Sequence, residues 1–141
     1  MREILFRGKR VDNNEWAISG DVFLGGKRKY IYIPNPDTDM SAKAYLCREI
    51  IPETVGQYTG LTDKNGTKIF EGDECRLTRH CILCYGSITF KKGSFWFEEF
   101  NTDSVIELNR LKPNNFEIEV IGNIHDNPEL LKGGADNGKV Y

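Results

Sequence analysis

The stretch that most constrains this chain is Val55 to Asp73, V-G-Q-Y-T-G-L-T-D-K-N-G-T-K-I-F-E-G-D. Val55 to Leu61 reads as extended, because Val55, Tyr58 and Thr59 suit a pleated surface. Asp63-Lys64-Asn65-Gly66 is a turn: Asp hydrogen-bonds the backbone that follows it, and Asn and Gly tolerate positive φ. Thr67 to Phe70 leaves that turn as a second extended run, Glu71-Gly72-Asp73 turns the chain again, and a new β run starts at Glu74.

The same grammar recurs along the chain. Glu3 to Arg7 alternates with Ile4 and Phe6 on one face. Gly8 and Lys9 open a turn, and Asp12-Asn13-Asn14 forms a second. Glu15 to Leu24 is a strand in which Gly20 marks a bulge or a close packing point. Gly25-Gly26 is a hairpin turn, and Lys27 to Ile33 returns from it. Pro34 to Asp37 opens a loop reaching about Ser41. Lys43 to Ile51 reads as a strand, with a short helix as the alternative because of Ala42, Ala44 and Leu46. Strands follow at Glu74–Arg79, Gly86–Phe90, Ser94–Phe100 and Ser104–Leu108, with Lys91-Lys92-Gly93 as a hairpin turn. Phe116 to Gly122 alternates Phe116, Ile118 and Val120 against Glu117 and Glu119. Asn127-Pro128-Glu129 has the cap, N1 proline and early acid of a helix start, so one short C-terminal helix is expected there. Gly133 to Tyr141 reads as a polar, glycine-rich tail.

Many short β runs with turns between them predict a barrel or sandwich rather than a βαβ array. The fold class is mainly β: an N-terminal β-meander over residues 1–60, packed with a C-terminal barrel plus short helix over 61–132, then a tail over 133–141. G-D-E-C-R-L, Y-G-S-I-T-F, a turn and S-F-W-F-E-E resemble the strand pattern of an SH3-like barrel.

P-E-T-V-G-Q-Y-T-G-L (Pro52–Leu61), D-K-N-G (Asp63–Gly66) and I-F-E-G-D (Ile69–Asp73) resemble the signature of the YopX family. Flanking pieces match as well, F-R-G-K-R (Phe6–Arg10) with Trp16 near the start and V-I-G-N-I-H-D-N-P-E-L-L (Val120–Leu131) near the end. The resemblance covers almost the whole chain. It implies a protein encoded by a bacteriophage or a prophage of Gram-positive bacteria, mainly β, with an SH3-like barrel in its C-terminal part. It implies no activity and carries over no catalytic or binding residue. Cys75 to Phe90 departs from the pattern by its cysteine content.

Composition narrows the function classes. With 141 residues, a net charge of -2 and a pI near 5.7, the chain is not held to nucleic acid by bulk charge. A local basic patch remains open. No run reaches the roughly 20 apolar residues of a membrane span, and the N-terminus lacks a signal-peptide core. The expected location is therefore the bacterial cytoplasm, where the 4 cysteines are free thiols or metal ligands rather than disulfides.

Four groups of residues invite a chemical reading. Cys75, His80, Cys81 and Cys84 have the donor types of a structural zinc site, with C-x-x-C supplying two thiolates. The alternative is a hairpin that happens to hold small, burial-prone cysteines, since no second pair stands at zinc-finger spacing. His125-Asp126 pairs an imidazole with a carboxylate, as a general base would, although its place before a helix start favours capping. Lys27, Arg28 and Lys29 precede Tyr30-Ile31-Tyr32, and Arg7, Lys9 and Arg10 are candidates to join them in gripping a nucleic-acid backbone. The alternative is a solvated hairpin tip. Trp96, with Phe95, Phe97 and Phe100, lines either a ligand groove or the core. No nucleophile motif and no phosphate loop is present. The expected protein is thus a non-enzymatic interaction module that needs no cofactor. A homo-oligomer is expected because short β domains protect their edge strands by pairing. A phage or host protein, or nucleic acid, is the expected partner.

Overall fold

A computed structural model describes residues 3–35, 45–111 and 116–126. The expected loop around Pro36–Ser41, the helix from Asn127 and the tail 133–141 lie outside these residues. The chain divides into two units, residues 1–58 and 59–141. The described residues are mainly β, in antiparallel sheets. Among them no helix is long and apolar enough to cross a membrane.

In the first unit, β1 (Phe6–Lys9) pairs with β2 (Trp16–Ser19) and with the start of β6 (Gly56–Thr62), as Phe6↔Gln57 and Arg7↔Gly56. Gly8 and Lys9, expected in a turn, therefore lie within a strand. Gly8 can do so because it is buried against Ile50, where a Cβ would stand 2.8 Å from Ile50 Cδ1. The run expected as one strand over Glu15–Leu24 is broken near Gly20. Its second part, β3 (Val22–Phe23), joins a different sheet with β4 (Lys29–Pro34) and β5 (Tyr45–Ile50). The expected Gly25-Gly26 turn links β3 to β4. β5 is a strand rather than the alternative helix, because every residue from Tyr45 to Ile50 finds a partner on β4. Ala17, Ile31 and Ile50 form the core of this unit, with Val22, Leu24, Ile33 and Val55 around them.

The second unit begins within β6, which turns at Asp63–Gly66 into β7 (Lys68–Phe70). Five further strands, β8 (Asp73–Arg79), β9 (Ile82–Lys91), β10 (Ser94–Glu99), β11 (Val105–Glu107) and β12 (Phe116–Asn123), form a sheet in the order β11-β10-β9-β8-β12. A 3₁₀ turn at Leu108–Arg110 follows β11. Alternation sorts the side chains as the sequence predicts. Ile69, Cys75, Leu77, Ile88, Phe95, Phe97 and Leu108 form the core, and Ile118 and Val120 pack against it while Glu117 and Glu119 face away. The sheet curls until β11 and the first residue of β12 line one groove. Among the described residues no ladder joins these two edge strands, so the sheet is open and does not close into the expected SH3-like barrel.

Two hairpins in this sheet use two-residue turns of opposite quality. At Lys91↔Ser94 the turn residues are Lys92 (φ 52°) and Gly93 (φ 76°). At Arg79↔Ile82 they are His80 (φ 50°) and Cys81 (φ 66°). Positive φ at both central positions is the primed turn that matches strand twist, and it favours Asn-Gly. His80-Cys81 occupies it without a glycine. The double change His80→Asn with Cys81→Gly is therefore expected to stabilise the protein by about 1 kcal/mol. Chemical denaturation would show this as a midpoint raised with no change in slope.

Candidate functional site

The groove at the open side of the second unit's sheet has a volume of about 460 Å³. Arg79, Trp96, Val105, Ile106, Glu107, Arg110 and Phe116 line it. Strand register assembles it. Arg79 ends β8 opposite Phe116, and its guanidinium carbon lies 5.9 Å from that ring's centre. Trp96 on β10 stands opposite Glu107 on β11. The indole Nε1–H donates to the carbonyl of Lys91 at 3.0 Å, which fixes the ring. The Lys91 Nζ in turn grips both carboxylate oxygens of Glu98 at 2.8 Å. The lining holds two guanidinium groups and one carboxylate, so its net charge is 2 − 1 = +1.

The two edges beside this groove are finished differently. The Lys64 N–H donates to the Ile118 carbonyl at 3.0 Å, and Asp63 Oδ2 accepts the Val120 N–H at 3.0 Å. The Asp63–Gly66 turn thus covers the outer side of β12. Asp63 Oδ1 accepts from Asn65 N and Thr67 N at 2.8 and 2.9 Å. Burial alone would push this carboxyl up. The N–H groups of Val120, Thr67 and Asn65, helped by the Lys64 charge, outweigh burial and hold it below the usual carboxylate range. Side chains brace the same edge, with Lys64 3.6 Å from Glu117 and Arg76 bonded to Glu119.

On β11 the pattern is open. Glu99 N–H donates to the Ser104 carbonyl at 3.0 Å, so Glu99/Ser104 and Phe97/Ile106 are the hydrogen-bonded pairs of this ladder. Val105 and Glu107 are then the non-bonded pairs, and their N–H and C=O groups point away from β10. The Glu107 carbonyl opens the 3₁₀ turn at Leu108–Arg110, and among the described residues no backbone group meets the Val105 N–H and C=O or the Glu107 N–H.

Cys75 is buried opposite Gly86, Cys84 pairs with Leu77, and His80 and Cys81 sit exposed in the turn. Among the described residues no group of three or more His, Cys, Asp or Glu side chains is arranged to hold a metal. Burial and the neighbouring Glu99 carboxylate raise the Cys84 thiol above its ordinary range, the reverse of a thiolate ligand. Cys47 lies on β5 opposite Tyr32.

Most of the basic candidates have internal work. The Arg7 guanidinium carbon is 4.5 Å from the centre of Trp16, and Lys9 Nζ is 5.6 Å from it. Arg10 forms two hydrogen bonds with Asp12, at 2.9 and 2.6 Å, which raise the arginine and lower the aspartate from their ordinary values. Lys29 Nζ binds the carbonyls of Leu24 and Gly26 at 2.9 and 3.2 Å, tying down the turn. Lys27 and Arg28 remain exposed at its tip. His125 and Asp126 both donate backbone N–H groups to Asn123 Oδ1, and the Asp126 carboxylate accepts from Asn123 Nδ2 at 2.9 Å. That is an Asx-type turn centred on Asn123.

Of the four aromatic candidates, Phe95 and Phe97 belong to the core and Trp96 to the groove. Sequence reasoning missed Arg79, Glu107, Arg110 and Phe116. Local pattern cannot find them, because Arg79 meets Phe116 only once the β8–β12 register is known.

Comparison with known proteins agrees with this fold. The chain is similar to a solved structure, the crystal structure of protein EF1440 from Enterococcus faecalis. The two share 25% identity with a TM-score of 0.50, over 93% of this chain and 99% of that one. No curated protein matches. The family described as YopX protein matches residues 5–132, and the chain belongs to the YopX family.

Proposed function

We propose that this protein is a non-enzymatic interaction module of phage or prophage origin, acting in the bacterial cytoplasm, with the groove between β11 and β12 as its docking surface. The observation that carries this reading is the groove itself: two rings, two guanidinium groups and an open strand edge meet in one concave place. Its lining offers recognition chemistry and neither a nucleophile nor an imidazole. The curled five-stranded sheet is then an SH3-like barrel left open where the partner docks. The test is titration of the ¹⁵N-labelled protein with a pool of capped decapeptides of acidic, basic and proline-rich sequence. Shifts concentrated at Arg79, Trp96, Ile106, Glu107, Arg110 and Phe116 are expected. A pool that moves none of them refutes the reading.

The module also assembles with itself in this reading. The β8–β9 hairpin tip presents Ile82 and Leu83, 64% and 54% exposed, on a primed turn built without glycine. Large apolar side chains held out in this way mark a contact surface. Sedimentation at rising concentration is expected to show an oligomer, and Ile82→Asp with Leu83→Asp to leave a monomer.

A second reading is favoured by one observation. Lys27 and Arg28 stand exposed at one hairpin tip, and Arg7 and Lys9 both lie over the Trp16 ring. Binding to single-stranded nucleic acid is then expected to weaken with salt. Lys27→Ala with Arg28→Ala should reduce the salt slope by about 1 to 2. Absence of binding at low salt removes this reading.

A further inference from the structure

The outward side of β11 is a strand edge with hydrogen-bonding capacity, and the sheet's other edge shows how this chain closes one. On β12 the Asp63–Gly66 turn occupies both the Ile118 carbonyl and the Val120 N–H. On β11 the N–H and C=O of Val105 and the N–H of Glu107 face outward beside the groove. A row of such groups is a template for another strand. We propose that β11 is a strand-addition site that takes an extended acidic peptide of a partner protein as a sixth strand. This deepens the interaction-module reading and rests on it.

The groove supplies the selectivity. A peptide residue opposite Ile106 shares that residue's face, so an apolar side chain there enters the groove toward Phe116. Neighbouring residues fall on the face of Trp96 and the exposed Val105. Arg79 and Arg110 against Glu107 leave the lining net positive, which favours carboxylates over ammonium groups. Guanidinium groups suit carboxylates because their planar forks donate two parallel hydrogen bonds. The partner is thus an extended segment that sets apolar or aromatic residues beside Ile106 and carries carboxylates for Arg79 and Arg110.

The probe is a capped decapeptide alternating Phe or Val with Glu, titrated into the full ¹⁵N-labelled chain. Two control peptides accompany it, one with Lys for Glu and one N-methylated at alternate amides. The expected result is slowed exchange of the Val105 and Glu107 amide protons, with both controls binding at least about tenfold more weakly. Val105→Pro removes an outward N–H while sparing the β10 ladder, since proline is tolerated on strand edges. It should cost a similar factor, as should Arg79→Gln with Arg110→Gln. Equal binding by the N-methylated peptide, which needs no protein variant, overturns strand addition. Equal binding by the Lys peptide overturns the acidic preference. Self-association abolished by Val105→Pro assigns the edge to a second copy of this chain and overturns the proposal. If basic or proline-rich peptides shift the groove residues and the acidic one does not, this inference falls and the interaction-module reading stands. If no peptide shifts them, both fall.

Discussion

Replacing Gly86 with alanine is expected to unfold the second unit at temperatures where the wild type is intact. Gly86 is buried in β9, between Cys75 on β8 and Glu99 on β10. An added Cβ would overlap the Glu98 carbonyl oxygen and lie 2.8 Å from Phe97 Cζ. Neither neighbour yields cheaply. The carbonyl belongs to the adjacent backbone, and Phe97 is 1% exposed at the centre of the core. Overpacking of this kind costs about 3 kcal/mol. For a unit of this size that lowers the melting temperature by roughly 12–24 °C. Gly66→Ala is the control. Gly66 has φ +83° and open space where its Cβ would stand, so only the left-handed backbone penalty of about 1 to 2 kcal/mol applies. Comparable losses from the two substitutions in thermal denaturation would contradict the packing argument.

The second large effect is expected at Asp63. Asparagine there still offers an oxygen to the Asn65 and Thr67 N–H groups, but its amide nitrogen sets a donor against the Val120 N–H. Leaving that buried pair unsatisfied costs about 2 to 3 kcal/mol. The effect has a pH signature. The Asp63 carboxyl is held below its ordinary value in the folded protein. Its contribution is therefore complete above the unfolded pKa of about 3.9 and is lost as the pH falls through the lower folded value. The stability gap between the wild type and Asp63→Asn should be widest near neutrality and narrow below about pH 4. A gap that stays constant down to pH 2 in urea titrations would show that Asp63 acts through shape alone.

Local physics carried the sequence reading as far as single strands and turns. The Asp63–Gly66 and Lys92-Gly93 turns, the alternation of Phe116, Ile118 and Val120, and the β runs through the second unit are all set by neighbours a few residues apart. What the sequence hid is set by register. Gly8 read as a turn residue because nothing local shows that Ile50 packs against it. The single run from Glu15 to Leu24 divides between two sheets because its halves answer to different partners, β1 and β4. The candidate site divided along the same line. Trp96 was legible as an aromatic in an alternating strand. Its companions Arg79, Arg110 and Phe116 come from a strand end, a 3₁₀ turn and the far edge of the sheet. Cys75, His80, Cys81 and Cys84 are close in sequence, but two of them sit on the core side of the sheet and two in an exposed turn.

The Asp63–Val120 hydrogen bond joins residues 57 positions apart, whereas β8, β9 and β10 are joined by two-residue turns. Loop closure over such a distance is costly before packing rewards it, so the hairpins are expected to form first and the turn to seal β12 late. In kinetic terms Asp63→Asn should speed unfolding and leave the folding limb of a chevron almost unchanged. Until that late step the newly made sheet is bare along both edges, and the nascent chain is most open to pairing with its neighbours on the polysome during that interval.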